Sequence, residues 1–249
     1  MLVAASTQCY PEMGLKEALG KLVDLEYSNV ELAIHENCQH MKPSEVTADL
    51  DAAIERCRDT HRLDIVAYNL DIEAKGEEHY EQFAAICKLA KATKVVTLTV
   101  PSAPLGTPFN EEVEHLRELV GIAQRDGMRV GIKTEVGCLS EDPDTVMVLC
   151  NNVDGLGVTL DPSHYICGPF SHRSYDKLLK YVYHVQLRDS SKEKLQVRIG
   201  QGEVEYGRLV SQLRQFGYDR ALCVDMLPLE ETDHMGEMRK LRLLLESVL

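Results

Sequence analysis

Residues 130–164 read VGIKTEVGCLSEDPDTVMVLCNNVDGLGVTLDPSH. Two short apolar runs, 130–136 and 156–161, bracket a helical stretch at 142–151. Near-continuous apolar strands are those covered on both faces, which is the condition of a parallel sheet. A strand, a crossover helix and a second parallel strand make one βαβ unit.

The same unit recurs along the whole chain. Strands are expected at 2–7, 29–35, 63–69, 94–101, 130–136, 156–161, 182–189 and 221–226. Between and after them lie helical patterns at 14–25, 43–58, 77–92, 110–126, 142–151, 173–181, 205–216 and 233–248. In the first, Leu15, Ala18, Leu19, Leu22 and Leu25 recur at helical spacing. Pro43 opens the second, where its missing N–H is harmless. Asn110 suits a cap, and Asp126-Gly127 suits a stop. Eight strands alternating with eight helices predict α/β with an all-parallel sheet. No long break in composition divides the chain. The reading is therefore one closed (β/α)8 TIM barrel over residues 1–249, a size such barrels reach as a single domain. An open doubly wound sheet is the alternative. The strand-to-helix turns hold no G-x-G-x-x-G and no Walker loop, which leaves a nucleotide-binding open sheet unsupported.

The composition excludes other classes. With 27 Lys+Arg against 40 Asp+Glu, the net charge is −13. Nucleic acid is disfavoured as a partner, because phosphate contacts need basic groups. No apolar run reaches the roughly 20 residues of a membrane span, and the first residues lack a signal-peptide pattern. A cytoplasmic protein is the expectation. The eight cysteines are scattered without a C-x-x-C pair, as free thiols in a reducing compartment would be.

Barrel enzymes work at the C-terminal ends of their strands. Here those ends carry Glu135, then Asp161 followed by Pro162-Ser163-His164, then Asp225. Strand seven carries His184, Gln186 and Asp189. His184 and Gln186, at spacing two, share one face. Converging carboxylates repel one another unless a cation or proton lies among them, and a divalent metal resolves the conflict. Each residue also has an ordinary role open to it: Glu135 as a salt-bridge partner, Asp161 as an Asx-turn, Asp225 as a helix cap.

The motifs G-I-K-T-E135, V-T-L-D161-P-S-H164, H184-V-Q186-L-R-D189 and I-G200-Q-G202 leading to L-C-V-D225 resemble the xylose isomerase-like TIM barrels. The looser stretch from Leu25 to Leu32 resembles that superfamily's entry into strand two. The resemblance spans essentially the whole chain. It implies one divalent metal held by Glu135, Asp161, Gln186 and Asp225, with Gln186 standing where His is usual and Asp225 where Glu is usual. All-oxygen ligation favours Mn²⁺ or Mg²⁺, with Zn²⁺ as the alternative. His35 and His164 fall at substrate-contacting positions. The endonuclease branch of the superfamily is set aside, because its extra ligands are missing from 194–200 and the net charge is wrong for DNA.

The implied activity is a metal-dependent isomerase or epimerase of a sugar or related polyol-ketone, working through an enediolate. Glu135 is the expected base, with Asp225 or a metal-bound water returning the proton. Arg198 is expected to orient substrate oxygens, or a phosphate beside Gly200 and Gly202. An inosose-type dehydratase on the same site, and a polyol-binding barrel without turnover, are the alternatives. Tyr10, Tyr68 and Phe109 are expected to wall the pocket. Pairing of exposed helices into a homodimer is compatible with the pattern.

Overall fold

The computed structural model describes residues 1–249. Eight parallel strands close in chain order, with β1 paired to both β2 and β8. They are β1 Leu2–Ser6, β2 Asn29–His35, β3 Asp64–Asp71, β4 Thr97–Val100, β5 Arg129–Lys133, β6 Leu156–Leu160, β7 Val182–Leu187 and β8 Ala221–Val224. The helices are α1 Leu15–Asp24, α2 Pro43–Ala48, α3 Leu50–Arg58, α4 Glu77–Thr93, α5 Phe109–Arg125, α6 Pro143–Asn152, α7 Ser163–Cys167, α8 Tyr206–Gln215 and α9 His234–Val248.

Two helical expectations change. The stretch 43–58 is two helices, because Asp49 leaves helical geometry and its side chain caps α3 by accepting from Ala52 N at 3.0 Å. The stretch 173–181 is a 3-10 turn over Asp176–Tyr181. Six of the strands stop earlier than the apolar runs suggest, while β2 ends at His35 as expected and β3 runs on to Asp71. Beyond each stop the polar residues bend into the top-face loops.

The main hydrophobic core of 60 buried residues uses the outward-facing strand residues, such as Leu98, Val130, Ile132, Val158, Leu160, Val185 and Leu187, against the helices. The apolar filling inside the barrel is far smaller. It is Ala4, Ala221 and Cys223, with Leu2 and Val66 beside them. Much of the inward-facing surface is polar: Ser6, Glu31, Thr97, Thr99, Thr159, His184 and Gln186 are all buried. Thr99 and Thr159 hydrogen-bond each other across the interior at 2.8 Å. A buried polar interior survives only if its groups are paired. Tyr68 belongs to the outer layer, where its hydroxyl meets Thr93 at 2.7 Å, so it does not wall a top-face pocket.

Candidate active site

The site has two levels. The lower lies inside the barrel. Glu31, on β2, has no exposed surface. His184 Nε2 lies 2.7 Å from Glu31 Oε2. The Gln186 amide donates to both Glu31 oxygens, at 2.9 and 3.1 Å. Burial alone would raise the Glu31 carboxyl. The hydrogen bond and charge of His184, with bonds from Ser6 and Gln186, outweigh it and hold Glu31 below the usual carboxylate range. Cys223 on β8 sits opposite Gln186 in register. Ligand atoms of Glu31, His184 and Cys223 all lie within 4.8 Å of one another. This group is capable of coordinating a metal ion.

The upper level is the mouth. Asp161 follows β6 with no exposed surface. Its Oδ1 accepts from Ser163 N at 3.0 Å and from the Ser163 hydroxyl, which makes the Asx-turn that D-P-S-H suggests. Its Oδ2 is buried against Arg188 and His164. Thr134 Oγ1 accepts from Asp161 N at 2.8 Å, tying the β5 and β6 ends together. The Arg188 guanidinium, just past β7, lies between two carboxylates. A single nitrogen, Nη2, stands 2.9 Å from Asp161 Oδ2 and 3.0 Å from Asp225 Oδ2. Lys133 Nζ stands 3.9 Å from the same Asp225 oxygen.

His164 is oriented by its neighbours. Val136 N–H donates to Nδ1 at 3.1 Å, so Nδ1 must be bare. The proton of the neutral ring then belongs on Nε2, which lies 3.6 Å from Asp161 Oδ2. Burial lowers the His164 pKa, Asp161 opposes the fall, and Arg188 and Lys133 add to it. His35 at the end of β2 is also lowered by burial, and its Nε2 is buried without a partner. Glu135, two residues past β5, is half-buried. Its backbone N–H donates to Ser140 Oγ at 3.0 Å, and no protein group pairs with its carboxylate.

Against these positions the expected residues divide. Asp161 and Asp225 do converge, with His164 beside them. Gln186 lies one layer lower, where its NH₂ is committed to Glu31 and its Oε1 has no partner. Arg198 is exposed and engaged elsewhere, donating to Thr232 Oγ1 and to Glu231 O, both at 3.1 Å. The N–H groups of Gly200 and Gly202 both donate to Asp189 Oδ2, at 2.7 and 3.0 Å, so neither is free for a phosphate. Asp189 is thus a loop anchor off the His184–Gln186 face. The residue that shares their face at spacing two is Arg188, and sequence reading passed over it. Glu31 was missed as a site residue as well. Its signal was a lone carboxylate inside the apolar run NVELAIH.

The metal expectation meets this geometry directly. A divalent ion shared by Asp161 and Asp225 would stand about 2.0–2.2 Å from each oxygen. That place is taken by Arg188 Nη2. The four-oxygen set of Glu135, Asp161, Gln186 and Asp225 therefore does not fit a divalent ion while Arg188 holds its position.

A closed parallel barrel with a charged mouth above strands five to eight defines the class: a TIM barrel with its polar site at the C-terminal ends of the strands. The chain belongs to the xylose isomerase-like TIM barrel family, whose model matches residues 19–242. It is similar in structure to a xylose isomerase-like TIM barrel protein from Mycobacterium smegmatis in complex with magnesium, with a TM-score of 0.79 and 15% identity over 99% of this chain and 96% of that one. It is similar to the 3-keto-D-glucoside 4-epimerase of E. coli, with a TM-score of 0.75 and 14% identity over 99% of both chains. A third likeness is to an IolI protein with a bound zinc atom, with a TM-score of 0.70 and 18% identity over 100% of this chain and 96% of that one. At these identities the likeness carries the fold. Among curated proteins, none matches the sequence. No helix is long and apolar enough to cross a membrane.

Proposed function

We propose that this chain is an isomerase or epimerase of a small sugar or polyol-ketone, acting by proton transfer at the carbon beside the carbonyl. The observation that carries the reading is the pairing of a free carboxylate with fixed cations: Glu135 has no protein partner, while Lys133 on the same strand face and Arg188 bring positive charge to the mouth. Glu135 takes the proton. The C–H electron pair forms the new C=C bond, and the carbonyl π pair moves to oxygen, giving an enediolate. Returning a proton to the same carbon from the other face, as the C=C pair re-forms the C–H bond and the oxyanion pair re-forms C=O, gives an epimer; returning it to the former carbonyl carbon, while the neighbouring hydroxyl gives its proton to the oxyanion and becomes the new carbonyl, gives an isomer. His164 Nε2–H and His35, whose Nε2 has no protein partner, orient hydroxyls in this reading. The test is a screen of ketoses, aldoses and inososes with products read by NMR. Interconversion of at least one pair is expected, and Glu135→Gln should slow it by about 10²–10⁴-fold. Loss of water from an inosose would instead assign the dehydratase reaction.

A second reading keeps a metal, and the Glu31–His184–Cys223 group favours it. A zinc ion held there would supply a fixed positive charge below the substrate. Elemental analysis of the purified chain and of Cys223→Ser separates the readings: one zinc per chain, lost in the variant, supports the second.

A further inference from the structure

The guanidinium at the mouth has features that an ordinary surface ion pair lacks. Arg188 is only 8% exposed. One of its nitrogens is shared by carboxylates from two different strand ends, Asp161 after β6 and Asp225 after β8. Its Nε is buried without any protein acceptor. Arginine stays protonated under all ordinary conditions, so this positive charge is permanent. Two sequence features agree with its placement. Gln186, the neighbouring inward residue of β7, turns its NH₂ to Glu31 and not toward the mouth. Asp225 is a short carboxylate and reaches the guanidinium in a direct 3.0 Å contact.

We infer that Arg188 is the resident cation of this mouth, standing where a divalent ion would otherwise bridge Asp161 and Asp225, and that the site faces its substrate's developing oxyanion with a guanidinium. The ligand class is an oxygen-rich small molecule with a carbonyl or enolate oxygen. The free Nε–H is a donor left for such an oxygen. Both carboxylates hold the same nitrogen, Nη2, so the charge already stands at the mouth as the oxyanion forms. This inference deepens the isomerase reading and rests on it for the reaction, but the identity of the cation is separable from turnover.

The test is binding of Mn²⁺ alone to the full chain, followed by the resonance of the free ion. The wild type and Asp161→Asn should bind Mn²⁺ alike, because no site at the mouth depends on Asp161. Arg188→Met removes the internal cation and leaves two facing carboxylates. It should gain one Mn²⁺ site per chain, at least about 10-fold tighter than any in the wild type, and the double variant Arg188→Met/Asp161→Asn should lose it. Asp161-dependent binding of Mn²⁺ in the wild type would overturn the inference. Asp225→Asn serves as the second probe if Asp161→Asn does not fold. Since binding is read without substrate, a failed substrate screen would sink the isomerase reading and leave this result standing.

Discussion

Glu31 is a carboxylate buried in the middle of a barrel, and its partners decide whether the fold tolerates it. His184 and the Gln186 amide supply three contacts of 2.7–3.1 Å. Replacing His184 by Leu strands a buried charge, and such a break costs about 3–5 kcal/mol. Urea unfolding should show that loss, and a change below about 1 kcal/mol would mean that the pair is not formed. The pH dependence follows from the sign of the shift. The Glu31 carboxyl titrates lower in the folded chain than its ordinary value of 4.5. Its contribution is therefore full above that value and disappears as pH falls through the lower folded one. Glu31→Gln should flatten the loss of stability between pH 4.5 and more acid conditions. Much of this scale was legible. The places of Glu135, Asp161 and Asp225 beyond their strands could be read from the sequence, and His164 came with the family resemblance. Arg188 could not be given its role, because an arginine beside Asp189 reads as an ordinary solvated pair until the strand face is known.

At the scale of elements, the stretch from Asp189 to Glu203 shows how a loop is held over the mouth. Asp189 accepts from Gly200 and Gly202. Gln196 forms a two-bond clasp with Leu227, accepting from its N–H at 2.9 Å and donating to its carbonyl at 2.6 Å. Ile199 N–H donates to Glu237 at 2.6 Å. A side chain on Gly202 would strike the Asp189 carboxylate, so only glycine fits this approach. Asp189→Ala leaves two backbone donors without their acceptor, at about 1–3 kcal/mol for those that stay buried. Limited proteolysis should then cut within 190–203 faster than in the wild type, and an unchanged pattern would show that Gln196 and Glu237 hold the loop alone. The strands and most helices were legible from periodicity and end signals. The break at Asp49 was not, since one capping side chain divided a pattern that periodicity joins. The anchoring role of Gly200 and Gly202 was hidden too, because glycine pairs look alike whether their N–H groups face a phosphate or a carboxylate.

For the whole molecule, closure of eight strands sets the division of labour. Outward residues meet the helices and carry the hydrophobic core. Inward residues are polar from mid-barrel to mouth. The alternation of apolar strand runs with helical patterns announced the barrel, but ring closure brings together residues far apart in sequence, such as Glu31 with His184 and Asp161 with Asp225. No local pattern reports those meetings. In the function proposed above, the mouth moves a proton beside a carbonyl with cations built from its own side chains. The most direct measurement is deuterium incorporation from D₂O into a panel of ketoses and inososes, with the wild-type chain in excess EDTA. The expected result is exchange at the carbon beside the carbonyl of at least one compound, undiminished by the chelator and slowed about 10²–10⁴-fold in Glu135→Gln. Exchange that stops on chelation and returns with added metal would contradict the built-in cation, and absence of exchange in every compound would contradict the proton transfer itself.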